Sequence, residues 1–222
     1  MSGKCYICEK TYTKTGMTRH LQSCIEKNYS DKIKTEASRK LYYHLVVEDK
    51  FRKSYWLHLQ IDADSTLGML DAFLREIWLE CCGHLSAFTI NGGIYSKRPM
   101  SDFDEQSMDY SLKELLAPET SFSYEYDFGS STNLRLRVVD IFRSRIRERA
   151  VNVLARNEKP VISCSNCGQT ATRVCPECLW QNKGWLCDDC AEKHDSSDCF
   201  IGKDMLLPVV NSPRTGICAY SG

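Results

Sequence analysis

Between residues 41 and 133 apolar and polar positions alternate regularly enough to draw an order of elements. Leu41 to Val47 is rich in β formers, and Tyr55, Leu57, Leu59 and Ile61 alternate with Trp56, His58 and Gln60. The polar run EDKFRKS between them predicts a hairpin turn. A helix capped by Asp64 or Ser65 is predicted to run to about Cys82, with Leu67, Leu70, Phe73, Leu74, Ile77 and Trp78 at core spacing. Ser86 to Asn91 reads as a strand, Asn91-Gly92-Gly93 as a tight turn, and Ile94 to Ser96 as a short strand. An acidic loop at Asp102 to Glu105, a short helix at Ser111 to Leu116 and a strand at Ser121 to Asp127 follow. This order predicts an α+β fold, specifically a β-grasp-like (ubiquitin-like) mixed sheet packed on one main helix.

The pattern after Asn133 carries chemistry as well as structure. Arg135, Arg137, Arg143, Arg145, Arg147 and Arg149 fall on odd positions, whereas Leu134, Leu136, Val138, Phe142 and Ile146 fall on even ones. Side chains alternate faces along a strand, so the expectation is one apolar face against the helix and one arginine row. Neighbours in such a row stand ~6.8 Å apart, close to the phosphate spacing of a nucleic-acid strand. A solvated edge, or pairing with the acidic loop at 102 to 105, is the competing use of the same arginines.

Outside this body the pattern fades. Residues 25 to 40 are polar and basic with no apolar stripe and read as the end of a short helix (1–28 being its module) plus a linker (29–40). Residues 151 to 163 read as a second linker after a 41–150 body, and residues 201 to 222 as an extended tail that keeps Leu206, Leu207, Val209, Val210 and Tyr220.

Composition changes the picture at one point. Of 222 residues, 42% are hydrophobic and 26% charged, ordinary for a globular chain, but 13 are cysteine. The formal charge is zero, yet residues 1 to 40 hold 9 Lys/Arg against 4 Asp/Glu, and residues 134 to 160 hold 8 against 3. Two basic regions are thus hidden by the acidic body between them. No apolar run reaches the ~20 residues of a membrane span, and no basic start leads into an apolar leader. A cytoplasmic, reducing setting is expected, and an odd cysteine count argues against a disulfide framework.

At the start, Cys5-x2-Cys8-x11-His20-x3-Cys24 resembles a zinc finger in which a hairpin offers two thiolates and a helix offers His20 and Cys24 one turn apart. Tyr12 and Met17 would form its miniature core. Lys10, Lys14 and Arg19 are the candidates there for phosphates or bases. A stabilising or protein-binding knuckle is the alternative use.

The densest cluster is Cys164-x2-Cys167-x7-Cys175-x2-Cys178-x8-Cys187-x2-Cys190-x3-His194-x4-Cys199. Tight C-x2-C turns aim two thiolates at one tetrahedral ion, and eight ligands make two closed sites. Redox chemistry at a C-x-x-C pair is a competing reading. Of the possible divisions, an interleaved one is favoured, with Cys164, Cys167, Cys187 and Cys190 on one ion and Cys175, Cys178, His194 and Cys199 on the other, because it ties both halves together. In ligand order the stretch resembles the cross-braced MYND and B-box modules, which commonly grip partner proteins. Trp180 and Trp185 are expected to shield the ions.

Tyr42-Tyr43-His44-Leu45-Val46-Val47-Glu48, the hairpin and Leu-rich helix, and above all Tyr126-Asp127-Phe128-Gly129 before a long strand resemble the plasmid pRiA4b ORF-3-like family over roughly residues 40 to 150. Ser130-Ser131-Thr132-Asn133 stands where that family usually has acidic residues and a Trp. The resemblance implies a plasmid or mobile-element context and no particular activity. No catalytic constellation and no small-molecule site stands out: Cys81-Cys82-Gly83-His84 reads as a helix end with small buried hydrophobes. The expectation is therefore a non-enzymatic protein holding three zinc ions, with DNA or RNA as partner through the finger and arginine strand. A protein partner at the MYND-like module is the alternative.

Overall fold

The computed structural model describes residues 1–29, 40–144, 149–194 and 199–222. They divide into two compact units: Met1–Leu74 with Leu85–Glu158, and Arg75–His84 with Lys159–Gly222.

The first unit begins with a hairpin, β1 (Ser2–Cys5) and β2 (Thr11–Thr13), that runs into helix α1 (Lys14–Tyr29). Strands β3 (Lys40–Asp49) and β4 (Trp56–Asp62) form the expected second hairpin. Helix α2 (Leu67–Leu74) follows, capped by Thr66, whose Oγ1 accepts the Met69 N–H at 3.2 Å. The cap is thus one or two residues later than Asp64 or Ser65. Asp64 is engaged elsewhere, by Lys113 at 2.6 Å.

Strands β5 (Ser86–Ile90), β6 (Gly93–Ser96) and β7 (Glu105–Ser107) come next. Helix α3 (Leu112–Leu115) and strands β8 (Ser121–Tyr126), β9 (Thr132–Ser144) and β10 (Val151–Asn157) complete the unit. Among the described residues these strands make one sheet in the order β2-β1-β10-β4-β3-β9-β8-β5-β6-β7, antiparallel throughout except for β6 with β7. This is the mixed sheet-and-helix class the pattern predicts, but the sheet is larger than residues 41–150 alone would form.

The enlargement comes from β10. Residues 151–157, expected to be linker, pair with β4 on one side and with β1 on the other, so the N-terminal hairpin is part of the sheet. A register shift between Val153 and Ala155 interrupts the alternation that would otherwise have marked the strand. Gly3 permits the close approach of β1, since a Cβ there would lie 2.3 Å from the Arg156 carbonyl oxygen and 2.4 Å from the Trp56 ring.

Each face of this sheet has its own cover. Leu45, Val47, Leu57, Leu59, Leu134, Leu136 and Val138 are fully or nearly fully buried on the face that α2 covers. Asp71 of α2 ties that packing down by accepting the Tyr124 hydroxyl at 2.7 Å and the Ser86 hydroxyl at 2.6 Å. On the opposite face α1 lays Met17, Leu21 and Ile25 against Trp56, Leu154 and Phe142. Beneath α1's side of the sheet, His44 Nε2 and His58 Nδ1 stand 2.8 Å apart, both rings fully buried.

A bulge in β9 corrects the arginine row. Leu45 pairs with Val138 but His44 with Asp140, so Val139 is an extra residue and the alternation reverses beyond it. Arg135 and Arg137 lie opposite Glu48 and Val46, on the α1 face. Arg143 lies opposite Leu41, on the other face. Arg145 and Arg147 lie outside the described residues.

The second unit opens with a π-helical turn, Arg75–Leu79, which carries the helical course past α2 and stops it at 79 rather than 82. Its remainder is built from very short elements: β11 (Arg173–Val174), α4 (Pro176–Leu179), β12 (Trp185–Leu186), α5 (Asp188–Glu192) and β13 (Leu207–Pro208). The three strands form a small sheet with β11 central. Ala171, Val174 and Val209 are the buried members of its apolar cluster.

Candidate metal centres and a basic groove

The first cluster is assembled by the hairpin and α1. The turn between Cys5 and Lys10 closes with the Cys5 N–H donating to the Lys10 carbonyl at 2.9 Å, and Glu9 takes a left-handed φ of 63° to make it. That turn aims Cys5 and Cys8 at His20 and Cys24 on α1, and the four donor atoms lie within 4.8 Å of one another. Cys8 Sγ stands 3.2 Å from His20 Nε2. Tyr12 stacks on the His20 ring at 4.1 Å, and Met17 is fully buried, as the miniature core requires.

In the second unit the same proximity separates the eight remaining ligand candidates into two groups. Cys164, Cys167, Cys187 and Cys190 meet in one place, and Cys175, Cys178, His194 and Cys199 in another. This is the interleaved division and not the sequential one. Cys167 and Cys187 sulfurs are 3.5 Å apart, Cys175 and Cys199 sulfurs 3.4 Å, and Cys178 Sγ lies 4.0 Å from His194 Nε2. Zinc–sulfur bonds of ~2.3 Å at tetrahedral angles put neighbouring sulfurs about 3.7 Å apart, so these spacings suit ligand edges, whereas a disulfide needs about 2.0 Å. Two of the donor sets combine three thiolates with one imidazole and the other has four thiolates, and both kinds are compatible with zinc.

Electrostatics point the same way. Burial, with the crowding of Cys5 and Cys8, pushes the Cys24 thiol up to about 12, and burial with neighbouring thiols does the same to Cys178. Thiols packed this closely resist ionising together unless a cation joins them. For Cys164, burial would raise the thiol, but backbone N–H groups of Cys187, Asn166 and Cys167 outweigh it and hold it down to about 6. Burial, assisted by Lys10 and Lys27, lowers His20, which favours the neutral imidazole that ligates.

A fourth group went unassembled by sequence reasoning. Cys81, Cys82, His84 and Cys218, all in the second unit, bring four donor atoms within 4.8 Å. Cys82 is exposed, so the expectation of a small buried hydrophobe fails there. The signal was the unassigned Cys218 beside a Cys-Cys-Gly-His cluster, but more than 130 residues separate them and no spacing rule reaches that far. Trp180 is a second correction: it is 85% exposed and shields no ion, whereas Trp185 is partly buried against the small apolar cluster.

The predicted basic residues are partly brought together. A groove of ≈ 360 Å³ between α1 and the sheet is lined by Lys14, Thr15, Thr18 and Arg19 of α1, by Val46 and Glu48 of β3, and by Ser121, Arg135 and Arg137. Glu48 pairs with Lys14 and, at 3.4 Å, with Lys53. Arg19, Arg135 and Arg137 are exposed and have no carboxylate partner among the described residues, and the acidic loop does not reach them. Burial, then the neighbouring charges of Lys53, Arg135 and Arg137, lowers the Lys14 ammonium. Lys10 is exposed on the turn between β1 and β2 and lines no part of the groove, and Arg143 faces away.

Among the described residues no helix is long and apolar enough to cross a membrane. The profile of plasmid pRiA4b ORF-3-like proteins matches residues 42–170. No curated protein matches the chain. A solved structure, that of a protein of unknown function from Methanosarcina mazei Go1, is similar at 17% identity, covering 53% of this chain and 70% of that one with a TM-score of 0.48.

Proposed function

The chain belongs to the plasmid pRiA4b ORF-3-like family, and we propose that it is a non-enzymatic zinc protein that binds the backbone of DNA or RNA in a plasmid or mobile-element setting. The single observation that carries this reading is the groove, where Lys14 and Arg19 from the finger helix meet Arg135 and Arg137 from β9 around one carboxylate, Glu48. Side chains from two separate parts of the sequence supply like charge to one concave surface, at a cost in mutual repulsion that a polyanion would relieve. Arginine forks suit phosphate oxygens, and no base-reading element is needed for contacts of this kind. Zinc at the finger fixes α1, and with it one wall of the groove.

The test is fluorescence anisotropy with single-stranded and duplex DNA and RNA at about 50 and about 200 mM salt. Four phosphate contacts give a log–log salt slope of about −3 to −4. Arg135→Ala with Arg137→Ala should weaken binding to every sequence alike and reduce the slope by about 2, while Arg143→Ala, on the other face, should leave both unchanged. Binding that ignores salt, or an effect of Arg143 equal to that of Arg137, would defeat the proposal.

A second reading has its own observation. Trp180 and Phe200 beside the MYND-like double-zinc module are 85% and 97% exposed, and large apolar side chains so placed favour a protein-interaction adaptor. A partner captured from lysate that survives nuclease and is lost on Trp180→Ala would favour this reading over the first.

A further inference from the structure

We infer that Cys81, Cys82, His84 and Cys218 form a fourth, solvent-facing metal site that takes a zinc-class divalent ion and clasps the C-terminal tail to the turn that follows the π-helical segment. The inference is independent of what the groove binds.

Donor geometry is the first support. Cys82 and Cys218 sulfurs are 3.5 Å apart, and Cys218 Sγ is 3.7 Å from His84 Nε2. These are the edges a tetrahedral ion sets, about 3.7 Å between sulfurs, and they match the sulfur spacings of 3.5 and 3.4 Å in the two four-donor groups of the same unit. Three thiols and an imidazole are also a donor set that favours zinc over hard cations.

Both halves of the site are then held by contacts that do not involve the donors. Arg75, nearly fully buried, donates to Glu80 Oε2 at 2.7 Å and to the His84 carbonyl at 2.6 Å, spanning the turn. Glu80 also accepts the Gly83 N–H at 2.6 Å. Gly83 has φ +74°, a backbone that lets Cys82 and His84 converge and that a Cβ would strain. On the tail, Ser212 donates its hydroxyl to the Trp78 carbonyl at 2.6 Å and accepts the Arg214 N–H at 2.9 Å. Cys218 itself adopts a left-handed φ of 53°, uncommon for a residue other than glycine, and this orientation brings its sulfur to the other three donors.

Charge closes the argument. Three thiolates against a divalent ion leave one negative charge, and the fully buried Arg214 approaches Cys81 Sγ with its Nε at 3.4 Å. A guanidinium donating to a ligating sulfur supplies the missing positive charge and orients that ligand. Binding releases the three thiol protons to solvent and leaves the oxidation state of sulfur unchanged. None of Cys81, Cys82 and Cys218 is buried, whereas each of the other groups has two buried cysteines, so this ion exchanges fastest.

The experiment uses the full chain, purified with zinc under reducing conditions. Alkylation by iodoacetamide, mapped by mass spectrometry, should be slowed at Cys82 and Cys218 about tenfold or more relative to chelator-treated protein, although both are exposed. Elemental analysis should find one metal equivalent fewer in Cys82→Ser/Cys218→Ser than in the wild type, and His84→Ala should lower retention of that equivalent during dialysis. The wild-type alkylation result stands even if a variant fails to fold. Rapid alkylation of both cysteines in the zinc-loaded chain, equal metal content in the wild type and the double variant, or a Cys82–Cys218 disulfide two mass units lighter in place of the ion would overturn the inference.

Discussion

The N-terminal cluster and the clusters of the second unit place the same kinds of candidate ligand in opposite surroundings. Around Cys5, Cys8, His20 and Cys24 stand Met17, Leu21, Ile25, Trp56 and Leu154, and β1 is bonded into a ten-stranded sheet of the described residues. Around the eight candidate ligands from Cys164 to Cys199 the strands are two residues long, and the buried members of the apolar cluster are Ala171, Val174 and Val209. A chain with so little apolar surface to bury depends on cross-links, whereas one docked on a large sheet does not. The comparison teaches that a shared ligand set can be a local clamp in one place and the fold itself in another.

Chelation breaks this comparison most forcefully. Structural zinc contributes about 10–16 kcal/mol in small modules, so a strong chelator should abolish amide protection from residue 164 onward while β3, β4 and β9 keep theirs, read by hydrogen exchange. Equal loss in both units would mean that the sheet gives the first cluster no support. Single ligands sharpen the contrast: Cys187→Ser should unfold the double-ligand region, and Cys8→Ser should fray the β1–β2 turn and α1 with little loss in β3, as measured by the same exchange.

Gly3→Ala attacks the buttress instead of the ligands. Its Cβ meets backbone and the Trp56 ring, so about 1–3 kcal/mol of destabilisation is expected, visible in thermal melts and confined to the first unit. The last effect, nil at neutral pH and growing only in acid, is that of pH on the histidine pair. Burial, then Arg137, drives His44 down to about 4, and burial with His44 and nearby cations holds His58 well below its usual value. Both rings are neutral in the folded unit and take up protons more readily when unfolded, so no contribution exists above about pH 6.5, and stability falls by up to about 1.4 kcal/mol per pH unit per ring below it. Ring NMR signals of both should fail to titrate between about pH 8 and about pH 5.

Much of this was legible in residue order because the forces involved are local. Alternation revealed β3, β4, β5, β8 and the first half of β9, and C-x2-C spacing revealed three of the four clusters. What escaped was set by distant partners. Nothing in Val151 to Asn157 announces that two strands wait on either side of it, and the extra residue at Val139 changes facing without changing composition. That one residue divides the apparent arginine row into a pair within the groove and Arg143 on the far face. Cys218 joins the cluster after His84 only through the fold of the tail. Trp180 misled in the usual way for an aromatic between ligands, since ligand spacing says nothing of which side faces water.

The position of β10 imposes an order on assembly. It lies between β1 and β4, so Ser2 to Cys5 leave the ribosome long before Val151 to Asn157, their permanent neighbour, have been made. During that interval the first hairpin and helix lack Leu154, Ala155 and the strand that bonds to β1, and an ion at their four donors would be what holds them together. A nascent chain lacking metal at that stage would carry a loose, apolar-sided helix through most of its own synthesis.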